Sequence, residues 1–148
     1  MLKQIQTGIH REGDTLFIQY LSPAWQGNYK PYVSTLRHTL LLPAGIDVEI
    51  SGSGHFQLAI ESQAIDQNWF IKGTGEIDVT VGTSTELAID VLIKDSYQLR
   101  GNVNWDVKEI LDDPAGGNPL YQGHLKWGEG GGNLNIILEW GTITVNEI

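Results

Sequence analysis

Glu76-Ile77-Asp78-Val79-Thr80-Val81 alternates strictly between polar and apolar side chains. Successive side chains of a β-strand point to opposite faces, so Ile77, Val79 and Val81 share one face and Glu76, Asp78 and Thr80 share the other. Such a segment belongs to a sheet that is buried on one side only. The same period recurs in Ile46, Val48 and Ile50, in Phe56, Leu58 and Ile60, and in Leu87, Ile89, Val91 and Ile93. It continues in Tyr97, Leu99 and Val103 and in Leu134, Ile136, Leu138 and Trp140. Thr15 to Leu21, Tyr32 to Leu42, Trp69 to Lys72, Tyr121 to Trp127 and Thr142 to Val145 extend the set. Many of these segments fall at the spacing of about 8 to 12 residues that marks an all-β sandwich or barrel. The expectation is an all-β chain, an antiparallel β-sandwich or jelly roll of roughly 8 to 11 strands.

The punctuation fits strands. Ser51-Gly52-Ser53-Gly54, Lys72-Gly73-Thr74-Gly75 and Val81-Gly82-Thr83-Ser84 separate alternating segments, where glycine supplies the backbone freedom of tight turns or bulges. The first two clusters lie about 21 residues apart. A repeat array calls for at least about three matching copies, so these two read as successive hairpins. One segment departs from the β pattern. Asp106-Val107-Lys108-Glu109-Ile110-Leu111 carries an N-capping Asp, a Glu three residues on and apolar residues at helical spacing before Pro114, which predicts at most one short helix or helical turn near 106–111.

The chain of 148 residues is the size of one ordinary domain, and a single domain over 1–148 is expected. Nine basic against 18 acidic residues give a net charge of −9, which repels phosphate backbones and anionic lipid and argues against nucleic-acid or membrane partners. The absence of cysteine excludes disulfides, thiolate metal sites and cysteine nucleophiles. Met1 to Gln6 has neither the basic stretch nor the apolar run of a signal peptide, so no export signal is expected.

Chemistry-bearing motifs are sparse. His10, His38, His55 and His124 lie on or beside strands without a companion acid or serine at a recognised spacing, and no G-x-S-x-G elbow occurs. No catalytic residue is assigned on these grounds. Neither a zinc motif nor an EF-hand spacing is present, although Asp112, Asp113 and Asn118 share one acidic loop where calcium is conceivable. Glu129-Gly130-Gly131-Gly132-Asn133 lacks the lysine of a phosphate loop and enters a strand, so it reads as a hairpin tip or as backbone approaching a neighbour closely. No cofactor or metal is expected.

Aromatic residues are the remaining functional signal, because indole and phenol rings anchor protein interfaces and stack on sugar rings. Trp105, Trp127 and Trp140 follow the apolar alternation of their segments and are expected in the core, as are Leu134, Ile136 and Leu138. Trp25, Tyr29 and Tyr32 occupy a turn-rich stretch without alternation and form the candidate contact residues, together with Gly130, Gly131 and Gly132. The leading functional expectation is a non-enzymatic component of a larger assembly, such as a virion decoration or tail-type protein. It would form a homo-oligomer or meet other protein subunits through its termini and exposed loops. The alternative is a lectin-like module that takes a glycan on Trp25, Tyr29 and Tyr32.

Overall fold

The computed structural model describes residues 6–12, 15–21, 45–62, 65–110 and 120–148. These residues are all-β: nine strands and a 3-10 turn, Ser96–Gln98, with no α-helix among them. The chain divides into two compact units, Met1–Thr39 and Leu40–Ile148.

In the first unit, β1 (Gln6–Glu12) and β2 (Thr15–Leu21) form an antiparallel hairpin in register from Gln6↔Leu21 to Glu12↔Thr15. His10 stacks on its cross-strand partner Phe17, with ring centroids 4.9 Å apart and planes 8° from parallel.

The second unit is one mixed seven-stranded sheet. Its strands are β3 (Val48–Glu61), β4 (Asn68–Val81), β5 (Leu87–Ile93), β6 (Leu99–Gly101), β7 (Asp106–Ile110), β8 (Leu120–Trp127) and β9 (Gly132–Glu147). The spatial order is β3-β4-β9-β5-β8-β7, with β6 also on β9. Within this sheet the expected antiparallel pairing holds for β5–β8 and β7–β8; the pairs β3–β4, β4–β9, β9–β5 and β9–β6 are parallel.

Chain reach explains how neighbouring strands can be parallel with so little chain between them. β3 and β4 have 14 residues each and start side by side, Val48 opposite Trp69. A straight strand of that length would span about 46 Å, whereas residues 62–67 reach across at most about 25 Å. The strands therefore bend. The bends fall at the glycines: the β3–β4 register shifts between Ser51 and His55, and the β4–β9 register shifts between Gly73 and Thr74. Hairpin turns were expected at Gly52–Gly54 and Gly73–Gly75, but these glycines are corners inside continuous strands.

The corners stack. Phe56, Gly75 and Gly141 are register partners on consecutive strands, and the backbones approach so closely that a Cβ on Gly141 would collide with the carbonyl of Gly75. Gly141 also has φ +115°, a backbone conformation that side chains other than glycine's rarely adopt.

Inside the bend the apolar residues form rows across the rungs. Val48, Trp69, Leu134 and Ile89 make one row, and Ile50, Ile71, Ile136 and Val91 the next. Beyond the corner, Leu58, Ile77, Ile143 and Leu99 align, followed by Ile60, Val79 and Val145. Most of these side chains are fully buried, including Leu134 and Ile136, and so is Leu138 further along β9, as expected from their alternation. At the start of each rung a polar ladder fixes the stack: Asn68 donates its backbone N–H and Nδ2 to Asp47 Oδ1 at 3.0 and 3.1 Å, and Asn133 Nδ2 donates to Asn68 Oδ1 at 3.2 Å.

The helix expected over 106–111 is instead strand β7, antiparallel to β8 from Asp106↔His124 to Ile110↔Leu120. The open edge of β8 offers a full ladder of backbone partners, and β-branched Val107 and Ile110 suit it; that outweighs a local capping pattern. Leu111 lies outside the described residues.

Candidate functional site

The rung formed by β5 and β6 turns its corner without glycine. Here Lys94 to Gln98 make the turn, and Gln98, a buried polar residue, organises it. Gln98 Oε1 accepts the backbone N–H groups of Lys94 at 3.0 Å and Asp95 at 2.9 Å. Its Nε2 donates to the carbonyl of Gly141 at 3.2 Å, while Asp95 Oδ1 caps the turn by accepting from Tyr97 N at 2.9 Å. The corner is thereby locked to β9 beside Trp140.

Two aromatic side chains stand out from this rigid point. Tyr97 is 84% exposed and Trp140 is 65% exposed. Lys94 Nζ lies over the Trp140 ring, 5.3 Å from its centroid.

Trp140 was expected in the core, and its position is a correction with a clear cause. Leu138 pairs with Gly73 and Trp140 with Thr74, so Glu139 is an extra residue in the ladder. Such a bulge reverses the alternation. Upstream the even-numbered Leu134, Ile136 and Leu138 face inward; downstream the odd-numbered Ile143 and Val145 do. The switch from even to odd is written in the sequence and marks Trp140 as the residue turned outward. Trp105 and Trp127 are half-buried and pack against the core. Trp105 covers Gly123, where a Cβ would meet its ring at 3.1 Å and Val91 at 2.8 Å.

A second group lies on the outer face of the sheet, where Asp90, His124 and Asp106 are cross-strand neighbours. His124 Nδ1 lies 2.8 Å from Asp90 Oδ1. An ionised carboxylate only accepts hydrogen bonds, so this contact places a proton on Nδ1. The companion acid of His124 escapes a motif search because it sits 34 residues away and is delivered by strand register. Both side chains are well exposed, and such a surface pair adds only about 0–1 kcal/mol. Among the described residues no group of three or more His, Asp or Glu is placed to hold a metal ion.

Beside His124 the sheet opens into a polar cleft of about 380 Å³, lined by Asn102, Asn104, Asp106, Lys126, Trp127 and Glu147 among others. It lies where β7 begins, at Asp106 opposite His124, and β8 runs on unpaired by it from Leu125 to Trp127.

No family model, curated protein or solved structure matches the chain.

The residues singled out by sequence divide into two sets. Trp25, Tyr29 and Tyr32 lie outside the described residues, as do His38, Asp112, Asp113 and Asn118. Gly130, Gly131 and Gly132 are described, and what they approach belongs to their own chain: the Glu86 carboxylate for Gly130, and backbone for Gly131 and Gly132. β8 and β9 flank β5, so the residues joining them cross over the start of β5. Gly131, at φ +95°, passes so close to the Glu86 carbonyl that a Cβ would collide with it, and Gly132 packs equally closely on Ile65.

Proposed function

We propose that the chain is a non-enzymatic structural subunit of an assembly, of the kind that decorates a larger particle or builds a tail, and that it works by protein–protein contact. The corner carrying Lys94, Tyr97 and Trp140 is the contact, and copies of the same chain are its partners, since most soluble oligomers are built from identical subunits. The observation that carries this reading is the exposure of Trp140 and Tyr97 on a backbone locked by Gln98. Tryptophan and tyrosine dominate the energetics of protein interfaces, and a ring held by a rigid frame loses little entropy on docking. The bulge at Glu139 exposes a large apolar ring that simple alternation would bury.

The test is the mass of the chain in solution, measured by sedimentation across a concentration series. The chain is expected to self-associate, and Trp140→Ala with Tyr97→Ala is expected to leave a folded monomer. A parent chain that stays monomeric throughout, or a double variant that associates as the parent does, rejects the reading.

A further inference from the structure

We infer that the cleft between the start of β7 and the end of β9 is a binding site for an uncharged sugar. This inference rests on residues separate from the Lys94–Tyr97–Trp140 corner and does not depend on the assembly reading.

The lining decides the ligand class. Asp106 and Glu147 bring two carboxylates, Lys126 an ammonium group, Asn104 a carboxamide and His124 an imidazole. Residues able to donate and residues able to accept thus line one cleft, as a ligand rich in hydroxyl groups requires, because each hydroxyl both donates and accepts. Trp127 adds an indole to the wall, the surface on which the C–H face of a sugar ring packs. Two carboxylates disfavour an anionic ligand. A bound divalent cation is disfavoured because no three metal-ligating side chains converge among the described residues. The volume of about 380 Å³ lies at the small end of the range of about 300–1,000 Å³ typical of ligand pockets, which fits one or two sugar rings.

The site is also organised in advance. Asn102 clamps the end of β9, its Oδ1 accepting from Glu147 N at 2.7 Å and its Nδ2 donating to Glu147 O at 2.9 Å. Trp127 Nε1 reaches Glu147 Oε2 at 3.4 Å, which orients the carboxylate against the indole. On the other wall Asp90 steadies the His124 ring from outside the cleft lining. Groups held before the ligand arrives lose less freedom when it binds.

The experiment is a titration of the isotopically labelled chain with glucose, galactose, mannose and N-acetylglucosamine, followed by amide and indole N–H signals. At least one sugar is expected to move the Trp127 indole signal and the amides of Asn104, Asp106 and Lys126 in a saturable manner. Asp106→Ala and Asn104→Ala, both at exposed positions, are expected to weaken that binding about tenfold or more, the effect of losing about 1.4 kcal/mol of hydrogen bonding. Trp140→Ala is expected to bind as the parent chain does, which separates this site from the assembly contact. Absence of saturable shifts with all four sugars, shifts confined to Tyr97 and Trp140, or unaltered binding by both cleft variants would overturn the inference.

Discussion

Ser62 is buried at the end of β3, and its hydroxyl serves two partners: Gly82 N donates to Oγ at 3.1 Å, and Thr85 Oγ1 lies 2.9 Å away. Replacing it with alanine leaves the half-buried Gly82 N–H and Thr85 hydroxyl without this partner. Ser62→Ala is therefore expected to cost about 1–3 kcal/mol in urea unfolding, although it removes a single oxygen. Glycines provide a sharper contrast. A methyl at Gly141 meets the Gly75 backbone, which cannot yield without opening the stacked corner, whereas at Gly130 it meets only the flexible end of Glu86 at 3.1 Å. Gly141→Ala should lower the melting temperature severely and Gly130→Ala only slightly. Equal effects in a thermal melt would show that the corner is not packed as described.

Among the elements, β9 shows how much the sequence discloses and where it stops. Period-two alternation locates its buried residues, and the same signal locates β2, β5 and the second leg of β4. Pairing partners are another matter, because alternation states which face is buried and not which strand lies alongside. The 21-residue interval between glycine clusters equals the β3–β4 register offset before the corner, Val48 opposite Trp69. With only two consecutive copies it read as hairpins, since the third glycine corner, at Gly141, lies far along the chain. The exposed aromatic corner stayed hidden for a related reason: Glu139 reverses the phase, and alternation carried past it assigns Trp140 to the wrong face. The phase change makes a measurable prediction. Trp140→Ala removes an exposed ring and its contact with Lys94, about 0.5–1 kcal/mol, whereas Trp69→Ala empties a core position at about 3–5 kcal/mol. Comparable losses in the two variants would place Trp140 back in the core.

At the scale of the whole molecule, β9 lies between β4 and β5, hydrogen-bonded along both edges, and Ile148 N donates to Val81 O at 3.0 Å just past its end. Its amides should be the most protected against hydrogen exchange, ahead of β7, which among the described residues is bonded to β8 alone. If β9 exchanged faster than β7, the strand order would be wrong. This placement imposes a timetable on folding. During synthesis the segments on either side of β9 leave the ribosome before β9 exists, so their facing edges must wait, with backbone N–H and C=O groups unpaired, for the strand that joins them. A chain ended before Gly132 is in effect a lock without its key. A synthetic peptide of residues 132–148 supplied in trans should enter the gap and restore the native circular dichroism, making this fold a natural split protein whose assembly is switched on by one strand.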